Sequence, residues 1–261
     1  MNKRGKGMSI IEVNNLNKSF KVGKESVEVL KDISFNVEKG EFISIMGPSG
    51  GGKSTLLYLL GGLDKPTSGT VSIDGKDIST IKKKEISWMR RNKMGFVFQF
   101  YNLVPNLSVA DNILLPIILD GKRLKDYNKK LQEILDVIGM TDTRKLTPRE
   151  LSGGQQQRVA IARALIFEPE IIFLDEPIGN LDSKTGTDIM KLFKKINQKY
   201  GKTLIQVTHS EAAAKYGTSI IKLIDGQIVD REELVDQAIE GDIKGTSKTV
   251  LVTDVVQELN M

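Results

Sequence analysis

The sequence predicts an α/β fold, a core of strands alternating with helices and interrupted by an inserted helical subdomain. Three observations predict it. Short apolar, β-prone runs alternate with helical patterns toward both ends of the chain. A glycine-rich loop joins one such run, Phe42 to Met46, to a helical pattern from Lys53 to Leu60. From Ser108 to about Phe167 the pattern stays helical, with Leu131, Leu135 and Ile138 at helical spacing. Composition agrees. Of 261 residues, 39% are hydrophobic and 27% charged, enough for a sizeable core and too apolar for a wholly disordered chain. The length suggests one or two domains.

Residues 1–8 are polar and basic and read as a frayed arm. Ile10 to Val13, Ser26 to Leu30 and Phe35 to Val37 read as short strands, with Gly23-Lys24-Glu25 as a turn. Thr70 to Ile73 is a strand closed by Asp74-Gly75. Residues 80–93 hold Lys82, Lys83, Lys84, Arg90, Arg91 and Lys93, read as a solvated helix face. Gly95 to Phe98 is a strand running into Gln99, and Ile171 to Leu174 a buried one. Ile189, Leu192, Phe193 and Ile196 mark an amphipathic helix. Leu204 to Val207 and Ser219 to Ile224 are strands, the second turned into a hairpin by Asp225-Gly226. The tail, 231–261, carries a net charge of −4 and leaves +9 on residues 1–230, so it reads as a separate acidic appendage.

Several function classes fall away. The chain has no Cys, which excludes disulfide scaffolds, thiolate zinc sites and cysteine nucleophiles and fits an intracellular location. Its single His, His209, excludes multi-histidine metal sites. The net charge of +5 does not by itself imply nucleic acid. The richest apolar stretch, Ile113 to Leu119, contains Pro116 and is far short of the roughly 20 residues a spanning helix needs. Lys3, Arg4 and Lys6 precede no apolar segment of a secretory signal. The expectation is a soluble, cytoplasmic protein whose membrane role would run through a partner.

Gly47-Pro48-Ser49-Gly50-Gly51-Gly52-Lys53-Ser54-Thr55 fits G-x-x-x-x-G-K-[ST] without a gap, after an apolar strand and before a helix. Glycines let the backbone turn tightly and aim successive N–H groups inward at anionic oxygens, and the helix N-terminus adds its dipole. Lys53 can reach the β and γ phosphates of a bound nucleotide. The Ser54 hydroxyl suits Mg²⁺, a hard cation that prefers oxygen ligands. A second strand should bring carboxylates, and Ile171 to Leu174 leads into Asp175-Glu176-Pro177. Asp175 would hold Mg²⁺ through water, and Glu176 would face an attacking water. In isolation the pair could equally be two capping carboxylates; behind a phosphate loop and an apolar strand the catalytic reading is preferred.

Leu151-Ser152-Gly153-Gly154-Gln155 lies between these motifs. A chance match to five fixed residues in such a chain is on the order of one in ten thousand. Ser152 and the amides of Gly153 and Gly154 would open a helix as a second anion site. With the loop before it and Asp175-Glu176 after it, the chain resembles the ATPase subunit of an ATP-binding-cassette (ABC) transporter over about residues 8–230. The resemblance implies a P-loop NTPase core with an N-terminal antiparallel β subdomain and a helical subdomain at about 100–167. It also implies roles. Phe20 would stack on adenine, Gln99 would contact Mg²⁺ and the attacking water, and Asp182, in Gly179 to Asp182, would lie in a loop crossing a dimer interface. His209, 33 residues beyond Glu176, would contact the γ-phosphate. Two positions depart from the family pattern: Ile178 stands for the usual Thr, and Ser210 for a frequent Asp.

The resemblance further implies an ATP-dependent head-to-tail homodimer, with the P-loop of one copy facing Ser152 to Gln155 of the other. Glu176 would be the general base, and the helical block would dock an integral membrane permease, placing the chain on the inner face of the cell membrane. Gly95 to Pro116 and Gly179 to Ser183 are similar to the lipoprotein-release, macrolide-export and antimicrobial-peptide-resistance branch. An alternative reading with the same motifs is an ATP-dependent partner of a cell-envelope or division complex. A nucleic-acid ATPase is disfavoured, since Lys53 and Ser152 are 99 residues apart with no heptad run and there is one cassette; no nucleic-acid partner is expected.

Overall fold

The computed structural model describes residues 9–234. The expected basic arm and most of the expected acidic appendage lie outside the described residues. In chain order the elements are β1 (Ser9–Val22), β2 (Glu25–Glu38), β3 (Phe42–Met46), α1 (Lys53–Leu60), β4 (Ser68–Ile73), β5 (Lys76–Asp77), α2 (Lys83–Lys93) and β6 (Met94–Val97). The helices α3 (Val109–Leu119), α4 (Asn128–Ile138) and α5 (Gly153–Leu165) follow as a block. Then come β7 (Ile171–Asp175), α6 (Ser183–Tyr200), β8 (Thr203–Thr208), α7 (Glu211–Ala214), β9 (Ser219–Ile224) and β10 (Gln227–Glu233). The first residues assigned to the appendage, Arg231 to Glu233, therefore continue a strand.

Two sheets result. One is antiparallel, in the order β2-β1-β4-β5. The other runs β10-β9-β3-β8-β7-β6, parallel except for the β9–β10 hairpin at its edge. The three short strands expected before residue 38 are in fact two strands of 14 residues. Bulges absorb the polar residues that break their alternation. Asn15 and Asp32 take left-handed backbone angles (φ 46° and 49°), Asn15 Nδ2 donates to Asp32 Oδ1 at 2.7 Å, and the register slips between Val13 and Leu16.

The large sheet is buried on both faces, which is why β3, β7 and β8 read as continuous apolar runs. Alternation along β7 shows it. Ile171 and Phe173 join α1 (Leu56, Leu60) and the antiparallel sheet in one cluster. Ile172 and Leu174 join α5 and α6 (Ile161, Ile189, Phe193) in a second cluster, which also takes in the inserted helices. Fully burying side chains of this size is worth about 1.5–3 kcal/mol each.

The block is punctuated by caps. Ser108 caps α3 by accepting from Asp111 N at 3.1 Å, and α4 ends on Gly139 at φ 66°. Fully buried Asn112 holds the loop that leads in, accepting from Val104 N and donating to the carbonyls of Val104, Leu107 and Ser108. Among the described residues no helix is long and apolar enough to cross a membrane.

Candidate nucleotide site

Parallel register brings the motifs together. β3, β8 and β7 end side by side, with Met46 opposite Thr208 and Asp175 opposite Val207. The loop after β3, the carboxylates after β7 and His209 after β8 thus emerge at one sheet edge, the usual ligand edge of a parallel sheet.

Gly47 to Gly52 wrap into the start of α1. Gly50 and Gly52 take φ 79° and 89°, and Gly51 N donates to Pro48 O at 3.1 Å. A Cβ on Gly47 would lie 2.0 Å from Leu223 O, so the loop starts directly against β9 and only glycine fits. Helix α1 has no side-chain N-cap and no acidic residue in its first turn, which leaves its first amides and positive dipole end for an anion. Lys53 is 7% exposed, and its Nζ donates to Gly47 O and Pro48 O at 3.0 and 2.8 Å, so the ammonium lies inside its own loop. Ser49 is exposed at the loop's tip, and Thr55 is half-buried beside Ser54.

Ser54 Oγ donates to Asp175 Oδ1 at 2.8 Å, joining α1 to β7. Tyr58, which no motif marks, donates to Asp175 Oδ2 at 2.6 Å. Burial, and secondarily the bond to Asp175, push the Tyr58 phenol up to about 12, so it remains a donor at any ordinary pH. Glu176, the residue after β7, takes the left-handed backbone (φ 46°). His209 Nδ1 lies 3.0 Å from Glu176 Oε1. Behind His209, Gln206 Nε2 donates to Ser44 Oγ and Ala213 O, anchoring α7 to the sheet. Ser210 has a local job: it caps α7, accepting from Ala213 N at 3.3 Å. Ile178 packs on the core beside Gly186.

The other predicted residues stand apart from this cluster. Gln99 Nε2 donates to Asn180 Oδ1 at 3.3 Å and its carbonyl accepts from Asn180 Nδ2, so its bonds run to the loop before α6 rather than to Ser54 or Asp175. Asp182 caps α6, accepting from the Thr185 hydroxyl and from the amides of Thr185 and Lys184, bonds that hold its carboxyl below the usual range. Ser152 and Gln155 form a reciprocal capping box at the start of α5, and Gly153 and Gly154 pack close to Tyr101 and Thr185. Phe20 is exposed on β1, with Lys18 Nζ 4.6 Å from its ring centre. The hairpin of Phe20 reaches the loop through Leu30, whose Cδ2 lies 2.8 Å from where a Cβ on Gly52 would be. Sequence reasoning missed Gln157. Fully buried on α5, it donates to Pro177 O at 2.6 Å and ties the inserted block to the turn after Asp175-Glu176. A polar residue on the inward face of a helix was the available signal.

This site defines a nucleoside-triphosphate-binding cassette, and comparison with known proteins gives its family. Residues 30–179 match the ABC transporter family model. The chain is 46% identical over 228 residues to an uncharacterised ABC transporter ATP-binding protein of Methanocaldococcus jannaschii, covering 86% of this chain and 97% of that one. That relative has been solved as a dimer in a post-hydrolysis state bound to ADP and Pi; it superposes with a TM-score of 0.79 at 44% identity, covering 87% of this chain and 100% of that one. The bacitracin export ATP-binding protein of Halalkalibacterium halodurans is 41% identical over 250 residues, 96% of this chain and 99% of that one. The lipoprotein-releasing system ATP-binding protein of Bacteroides thetaiotaomicron is 43% identical over 219 residues, 84% and 99% respectively. The chain belongs to the ABC transporter family, as an ATP-hydrolysing cassette subunit of the branch that includes these export and release systems.

Proposed function

We propose that this chain works as an ATP-dependent head-to-tail homodimer at the inner face of the cell membrane, driving a separate permease of the export or mechanotransmission type. One observation carries the reading: a single sheet edge gathers an anion-ready helix N-terminus, the Ser54–Asp175 pair and the Glu176–His209 pair. The dimeric form of the 44%-identical relative supports the homodimer, and the printed names of the relatives support export.

In this reading the phosphates of ATP lie on the amides of Gly50 to Thr55, and Lys53 exchanges the carbonyls of Gly47 and Pro48 for phosphate oxygens. Phe20 offers its ring to the adenine. The residues fit Mg²⁺, since Ser54 and Asp175 present hard oxygens 2.8 Å apart; Gln99 would add a third only after leaving Asn180. Among the described residues no cluster of three His, Cys, Asp or Glu forms a closed metal cage, as suits an ion that keeps waters and phosphate oxygens. When bound, Mg²⁺ neutralises charge developing on the β and γ phosphates. Glu176 accepts the proton of the attacking water at a side-chain oxygen, and His209 leaves it to hold the γ-phosphoryl group.

Ser152 to Gln155 and Asp182 serve the partner copy, facing the nucleotide held by its P-loop. Closure then turns the inserted block through its joints at Gln99 and Gln157. A cleft of about 550 Å³ beside Gln99, lined by Leu63, Arg90, Arg91, Phe96, Phe98 and Arg163, would seat the permease's docking segment. The test is capture with Glu176→Gln, ATP and Mg²⁺ from detergent-solubilised membranes of its own host. A polytopic permease with a large extracytoplasmic domain is expected. Recovery of division or envelope-scaffold proteins, or of soluble proteins alone, overturns the assignment.

A further inference from the structure

The partner of Asp175 that no motif supplies is Tyr58. Ser54 and Tyr58 stand one turn apart on α1, so both hydroxyls meet β7 from the same face. They close on the two oxygens of one carboxylate, Ser54 on Oδ1 at 2.8 Å and Tyr58 on Oδ2 at 2.6 Å, and Asp175 is only 8% exposed. The two donors differ in what a ligand asks of them. Ser54 opens the helix beside the phosphate loop, and in the proposed function its oxygen turns to the metal. Tyr58 lies one turn further along α1 from the loop, with its hydroxyl on Asp175 Oδ2.

We propose that Tyr58 is a positioning residue for metal binding: its phenol pins Oδ2 of Asp175 and so leaves Oδ1, beside Ser54, aimed at the metal. The inference rests on the reading of Asp175 as the metal-side carboxylate. A side chain that orients a ligand without touching the ion changes affinity for that ion while leaving the rest of the site intact. Here the rest of the site is the glycine loop and Lys53, which hold phosphate without help from Tyr58.

The test is Tyr58→Phe, which keeps the ring and its packing and removes only the hydroxyl. A fluorescent ATP analogue is titrated in EDTA and again at rising Mg²⁺, with no turnover required. The expected result is wild-type affinity in EDTA, with the Mg²⁺ concentration giving half of the affinity gain raised on the order of tenfold. An unchanged Mg²⁺ midpoint overturns the proposal. Equal weakening with and without Mg²⁺ marks a packing defect and overturns it too. Wild-type protein whose affinity ignores Mg²⁺ overturns the reading of Asp175 itself, and the role of Tyr58 with it.

Discussion

Helices α1 and α5 both open on glycine-rich turns, yet their N-termini are finished differently. At α1 no side chain caps the helix, and only the ammonium of Lys53 fills the space within the loop. At α5, Ser152 and Gln155 satisfy each other's backbone amides. The first end leaves amides and a positive dipole end that favour an anion, with the Lys53 ammonium just inside the loop. The second is already content and must surrender a hydroxyl before it can bind anything. In the proposed dimer the contrast implies an order of events: a nucleotide would seat on α1 first, and α5 of a second copy would contribute only to a phosphate already held in place.

Breaking the α1 end should have the largest effect. Lys53→Ala should weaken nucleotide binding by about a hundredfold or more, since it removes the ammonium aimed into the loop. Retention of tight ATP binding in a fluorescence titration would refute this role of the α1 end. Next comes the chemistry. Glu176→Gln should leave ATP binding intact, slow phosphate release by about 10²–10⁴-fold, and accumulate a dimer on a sizing column with ATP. Turnover at the wild-type rate removes Glu176 as base.

The comparison is sharpened by mixing. Lys53→Ala and Ser152→Arg should each be inactive, while an equal mixture should recover some hydrolysis, because one of the two sites in a head-to-tail pair is then intact. No recovery would mean that α1 and α5 of the same copy serve one nucleotide. The smallest effect concerns the seating of the block. Arg91 on α2 pairs with Asp120 at the end of α3 at 2.8 Å. Arg91→Ala, which leaves the pair of Asp120 with Lys122 in place, should cost roughly 0.2–1 kcal/mol of stability in a denaturant melt, as expected of a partly exposed pair. A loss several times larger would show that this bridge, rather than the apolar contacts, seats the block.

Much of the candidate site's placement was legible because its motifs put particular residues at fixed spacing. Gly47 to Thr55, Asp175-Glu176 and His209 occupy the sheet edge that their strand-ending positions imply. The extents of α1 and β9, Lys53 to Leu60 and Ser219 to Ile224, were readable from apolar runs, the second closed by Asp225-Gly226. What stayed hidden depends on contacts between distant residues. The bulges at Asn15 and Asp32 are stabilised across strands, so each strand alone looks interrupted there. Tyr58 follows a run of leucines and carries no local sign that its hydroxyl meets a residue 117 positions away. The local bonds of Asp182 and Gln99 were equally invisible, because motif spacing says nothing of which neighbour holds a side chain at rest.

The lysine inside its own loop has a consequence for how tightly nucleotide can bind. Lys53 donates to the carbonyls of Gly47 and Pro48, so its ammonium is hydrogen-bonded by its own loop. Arrival of a triphosphate is therefore an exchange of partners rather than the filling of a void, and the measured affinity is the difference between two sets of charge-assisted bonds. The loop's own carbonyls thus compete with the nucleotide for the same ammonium.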